Sequence, residues 1–227
     1  MRTGYFTSSS IWKLTTRGRN KVDFGAPALT YISEKKMELK LGRSLNSEIT
    51  SHPTSWGNLL ERRTFDLLDM DYKLVSKDRL VHPEITNYSG APDCIKKNVV
   101  VDIKCPFTMK SFCELVDINS AEMFKEECPE YYWQLVSNAI LTSSQYAELV
   151  VYCPYIYELK SIRSMVDDFD GDSSEFNWIK YAKDNQLPWL NEGFNYKNLN
   201  IFTFEVPEID KQLLTKSVID AVKVLNE

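Results

Sequence analysis

The chain has 227 residues, 43% of them hydrophobic and 26% charged, which fits one globular domain with an ample core. It has no run of about 18 apolar residues, and the start MRTGYFTSSSIWKL has one Arg with no long apolar stretch behind it. Neither a membrane span nor a secretory signal is expected, and the chain reads as cytoplasmic.

Net charge is −5, yet residues 1–64 hold eleven Lys or Arg against five Asp or Glu, about +6, leaving about −11 for the rest. A local basic surface for phosphates and a plain solvated helix face both account for that asymmetry. Five cysteines, Cys94, Cys105, Cys113, Cys128 and Cys153, form no CxxC pair, so neither a disulfide framework nor a zinc or iron-sulfur cluster is suggested.

In chain order, Thr7-Ser8-Ser9-Ser10 stands ahead of Ile11, Trp12 and Leu14, a helix N-cap signal. Exposed amides at such a start, with hydroxyls and Arg2 nearby, also suit a phosphate. Residues 17–25 are polar and Gly-punctuated, hence a loop. Over residues 27–45, Leu29, Ile32, Met37, Leu41 and Leu45 recur at roughly helical spacing, with Lys35, Lys36, Lys40 and Arg43 elsewhere. That helix either lies along a DNA backbone or covers a core with a solvated face. Thr54 and Ser55 are expected to cap the next helix, striped by Trp56, Leu60, Thr64, Leu67 and Leu68 with Glu61 beside the stripe. Residues 72–75 and 79–82 read as a short hairpin, and His52 and His82 as structural.

Residues 90–107, GAPDCIKKNVVVDIKCPF, follow. Cys94-Ile95 and Val99-Val100-Val101 read as two strands joined by the polar turn Lys96-Lys97-Asn98. Period-two alternation puts Asp102 and Lys104 on one face and Ile103 on the other. Antiparallel pairing then brings Asp93 near Asp102. Two carboxylates and an ammonium beside the most apolar strand form a candidate divalent-cation site, since an unpaired carboxylate there is costly.

Downstream, Phe112, Leu115 and Val116 mark a helix, and Pro129 opens a stronger one running through Leu141, with Tyr131 and Gln134 three apart on a shared face. Residues 146–152 and 155–159 read as paired strands around Cys153-Pro154. The cluster Asp167, Asp168, Asp170 and Asp172 lacks calcium-loop spacing and reads as an acidic surface loop. Helices over 174–187 and 209–225 and a strand over 199–204 complete the chain.

Glu61 on a helix, Pro92-Asp93, Asp102-Ile103-Lys104 and a later helical Gln134 together resemble the PD-(D/E)XK nuclease signature. Trp56-Gly57 ahead of Glu61, the run DIKCPFT followed by Phe112, and Tyr131 with Gln134 narrow the resemblance to the lambda exonuclease group, the YqaJ-like viral recombinase family. It covers residues 2–160. Two positions depart from the family: Val136 stands where a second Gln is frequent, and Ala91 where a Ser often precedes Pro-Asp, with Ser89 close by.

The resemblance implies an α/β (α+β), restriction-endonuclease-like core, a central mixed β-sheet flanked by helices, with residues 1–227 as a single nuclease domain. It implies Mg2+, with Mn2+ as substitute and two ions per site, held by Asp93, Asp102, the Ile103 carbonyl and Glu61. Lys104, Gln134 and Tyr131 are the accompanying catalytic residues, and Arg2 with Ser9 and Thr7 binds a 5′ phosphate. The implied activity is digestion of the 5′-ended strand of linear duplex DNA, leaving 3′ single strands for a phage annealing protein, by a homotrimeric ring. Competing readings are another nuclease on the same core, Cas4-like or an endonuclease, and an inactive module that only holds DNA ends.

Overall fold

The computed structural model describes residues 3–20, 22–45, 51–75, 79–169 and 173–227. A five-stranded mixed sheet lies at the centre, in the order β2 (Lys73–Leu74), β5 (Cys94–Lys96), β6 (Val99–Lys104), β7 (Tyr146–Tyr152) and β8 (Leu199–Glu205). Strands β6 and β7 run parallel and every other neighbouring pair antiparallel. A smaller three-stranded sheet joins β1 (Phe6–Thr7), β4 (Tyr88–Gly90) and β3 (Leu80–Val81), with β1 and β4 parallel.

The apolar runs VVVDIK and YAELVVY are buried on both faces, as parallel neighbours inside a layered fold require. Val100, Leu149 and Val151 point into one core cluster, with α1 (Ala26–Leu41), α3 (Met109–Val116), α5 (Pro129–Thr142) and α8 (Glu208–Asn226). Val101, Ile103 and Val150 point into the other, with α2 (His52–Asp66), α6 (Leu159–Met165) and α7 (Asn177–Tyr181). Among the described residues no helix is long and apolar enough to cross a membrane. All five cysteines are free.

Several sequence expectations are corrected. The start of the chain turns as a 3-10 helix over Ser8–Thr15, and the Thr7 side chain makes no capping bond. Of the expected stripe only Ile32 is buried: Leu29, Met37 and Leu41 on α1 and Leu45 beyond it are exposed, while Tyr31, Lys35 and Glu38 are buried beside Ile32. Lys35 enters the interior because Glu38 accepts from its Nζ at 2.9 Å, so it is unavailable to a DNA backbone. Ser51 caps α2 by accepting from Thr54 N, which leaves Thr54 and Ser55 inside the helix.

Residues 72–75 and 79–82 do not pair with each other, because β2 joins β5 while β3 joins β4. Beyond Pro154 the chain forms a 3-10 turn at Ile156–Glu158 and then α6 in place of a strand, with Glu158 Oε2 accepting from Tyr155 N at 2.7 Å. The expected helix over 174–187 is broken into α7 and two 3-10 turns. Helix α4 (Ala121–Glu127) was not anticipated, although Ser120 caps it by accepting from Met123 N. Of the acidic loop, Asp170 and Asp172 lie outside the described residues.

Gly90, at the end of β4, sits where side chains crowd. A Cβ there would lie 2.1 Å from Ser8 Oγ and 2.6 Å from Asn138 Oδ1. Gly90→Ala is therefore expected to lower unfolding free energy by about 2–3 kcal/mol, read as a reduced midpoint in urea at unchanged slope.

Candidate active site

The hairpin forms as its residues dictate. Lys96 pairs with Val99 across a two-residue turn in which Lys97 takes a left-handed φ of 50°, and Cys94 pairs with Val101. Asp93, one residue before β5, thereby comes level with the end of β6 and accepts from Ile103 N at 2.6 Å. The same strand presents Asp102 and Lys104 on its other face, toward α5.

Asp102 is fully buried. Its Oδ1 accepts from Gln134 Nε2 at 2.7 Å, and Lys104 Nζ lies 2.5 Å from its Oδ2. That second contact is a close ion pair, so both oxygens of the buried carboxylate are engaged. Lys104 Nζ also donates to Gln134 Oε1 at 3.4 Å and stands 4.9 Å from the centre of the Tyr131 ring. The amide is thus oriented from both ends: a carboxylate only accepts and an ammonium only donates. Pro129 starts α5, and the three-residue spacing of Tyr131 and Gln134 brings both to Lys104.

Charge is concentrated here. Burial, and then the charges of Asp102 and Glu61, push the Asp93 carboxyl well above its ordinary range. Burial, and then Asp102, raise Glu61 as well, against a smaller lowering by Lys104. Burial pulls the Lys104 ammonium down, but Asp102 and Asp93 outweigh it and its pKa is raised. Three interacting carboxylates face one cation.

Among the described residues no three His, Cys, Asp or Glu side chains close into a ready metal cluster. The donor chemistry nevertheless fits a hard divalent cation: three interacting carboxylates, Asp93, Asp102 and Glu61, in surplus over the single ammonium.

A cleft of about 410 Å3 opens beside this cluster, lined by Glu61, Ile103, Lys104 and Tyr131 together with Thr54, Asn58, Phe107 and Thr108. Thr54 and Asn58 were not anticipated as cleft residues. Their positions seven and three before Glu61 place them on its helix face, a spacing legible in the sequence.

Thr7 and Ser9 are brought together, their hydroxyl oxygens 3.4 Å apart, with Ser9 exposed. The start of the chain is tied to the site's own elements: Ser8 Oγ is 2.8 Å from Ser137 Oγ, one turn beyond Gln134 on α5, and β1 runs beside β4, which leads to Asp93. Arg2 lies outside the described residues.

No family model matches the sequence, and no curated protein sequence does either. Solved structures do. An alkaline exonuclease from Laribacter hongkongensis is similar over 99% of this chain and 89% of its own, at 17% identity and a TM-score of 0.62. Its complex with dAMP matches over 98% and 88%, with the same identity and score. A phage-related exonuclease from Haemophilus somnus 129PT matches over 98% and 93%, at 14% identity and a TM-score of 0.64. The likeness includes residues 161–227, where the sequence offered no recognisable motif, and it is consistent with the lambda exonuclease resemblance of the first 160. The chain has the fold of these alkaline and phage-related exonucleases.

Proposed function

We propose that this chain is a metal-dependent exonuclease that digests the 5′-ended strand of linear duplex DNA. The observation that carries the reading is Asp102, fully buried and held by Gln134 and Lys104 beside Asp93, on an exonuclease fold. Asp93, Asp102 and the Ile103 carbonyl would hold Mg2+ or Mn2+, with Glu61 completing the shell at a second ion. Bound there, such ions lower the pKa of water and offset charge on the attacked phosphate.

The chain's own groups do the rest. Lys104, held charged by Asp102 and Asp93, serves as a cation against the phosphate rather than as a proton acceptor. Gln134 fixes Lys104 and Asp102 relative to each other, and Tyr131 covers the ammonium. Arg2, Ser9 and Thr7 take the 5′ phosphate through charge-assisted contacts. Contacts to phosphate and sugar make cutting independent of base sequence. A homotrimeric ring on DNA ends and a phage single-strand annealing protein as recipient of the 3′ strand belong to the same proposal.

The test is digestion of end-labelled linear duplex in magnesium, with and without a 5′ phosphate. Loss of the 5′-ended strand, faster on phosphorylated ends and stopped by chelator, is the expected result. Arg2→Ala should remove the preference for phosphorylated ends. Cutting of closed circular DNA would instead identify an endonuclease.

A further inference from the structure

Four aromatic rings step outward from the core beside the cleft. Trp56 meets Phe107 edge-on with ring centres 6.2 Å apart, and Phe107 meets Trp178 edge-on at 5.6 Å. Trp178 then stacks on His52, with centres 4.0 Å apart and planes within 10°. Trp56 is buried, Phe107 and Trp178 are half-buried, and His52 is exposed. The series is continuous with the cleft, because Phe107 and Pro53, the neighbour of His52, both line it.

The base of this series is anchored by contacts. Trp178 Nε1 donates to Ser55 Oγ at 2.8 Å, and the indole packs against the cluster beneath α2. His52 is exposed, so its ring does not fill the interior. A flat ring backed by an indole at the mouth of a cleft that cuts a polynucleotide presents a π-face to solvent. Nucleobases stack on such faces whatever their identity.

We propose that His52, backed by Trp178, is a stacking platform for a base of the DNA strand entering the cleft. The inference rests on the nuclease reading and adds to it a contact with the bases that carries no sequence preference. Base stacking supplies grip on a strand that the phosphate contacts alone position.

The test uses the full chain and equilibrium binding, without divalent cation, to a 5′-phosphorylated duplex whose end carries four unpaired thymidines. A second probe has four abasic sites in their place. His52→Ala is expected to weaken binding of the first probe about tenfold, ~1.4 kcal/mol, and to leave the second unchanged. His52→Phe should restore the first. Equal weakening of both probes, no weakening of either, or failure of Phe to rescue overturns the platform, and a merely structural stack would lower the melting temperature alone. The chemistry is read separately: binding with these differences but no digestion in magnesium overturns the nuclease reading and leaves the platform standing. Absence of DNA binding by the unmodified chain overturns both.

Discussion

Asp102→Ala is expected to reduce digestion of linear duplex DNA by about a thousandfold or more, of order 4 kcal/mol in transition-state stabilisation. Among the described residues Asp102 is the one carboxylate that contacts both Gln134 and Lys104. Its removal takes away a proposed cation ligand and also releases Gln134 and Lys104, the group proposed to meet the phosphate. The same substitution also destabilises the fold, since a buried ammonium left without its partner costs about 3–5 kcal/mol. Asp102→Asn separates the contributions: it keeps an acceptor for Gln134, so a variant that melts like the parent yet digests nothing assigns the loss to chemistry. Wild-type rates in Asp102→Ala would sink the assignment.

Asp93→Asn should do two opposite things. Digestion falls by a comparable factor, while the apo protein becomes more stable at neutral pH. The sign follows from the raised pKa of Asp93, caused by burial and then by Asp102 and Glu61. A carboxyl whose folded pKa exceeds its unfolded value binds its proton more tightly when folded. Stability is therefore unpenalised below about pH 4, where both states are protonated, and declines as pH rises toward the folded pKa. Above that value the whole penalty is present. Asn removes it and still offers an oxygen to Ile103 N. A gain of about 1 kcal/mol, or roughly 2–4 °C in Tm, is expected at pH 8, shrinking toward zero near pH 4. A gap between the two proteins that does not change with pH would show that Asp93 carries no such penalty. Saturating Mg2+ should raise the Tm of the parent more than that of Asp93→Asn.

The hairpin was legible because its evidence is local. Period-two alternation alone sets Asp102 and Lys104 on one face, and the tight polar turn brings Asp93 to them, although Lys96, read as part of that turn, lies in β5 and leaves it two residues long. Strand β8 and helix α8 were legible for a similar reason, as a single period runs their whole length. Elements whose character depends on distant partners were not. Nothing near α1 says that Glu38 will accept from Gly4 N at 3.0 Å and from Lys35, and so draw a charged pair inward while four apolar side chains face out. Residues 155–159, YIYEL, are aromatic and apolar enough for a strand, yet Glu158 also accepts from Arg63 on α2 at 2.7 Å, and that contact favours a turn. At the candidate site, residue types were readable while their mutual orientation was not. The Gln134 amide shared between Asp102 and Lys104 depends on the packing of α5 against β6.

That packing also ties α5 to the beginning of the chain. Gln134 and Ser137 lie three positions apart, about 4.5 Å along the axis and on neighbouring parts of one face. One reaches the carboxylate at the proposed cutting centre, and the other meets Ser8, beside the hydroxyls proposed to hold a 5′ phosphate. The helix thus acts as a ruler whose gradation is a single turn. One residue inserted between these positions would rotate Ser137 by about 100° and take it off Ser8, so that grip on the DNA end and position of the cut would lose their common scale.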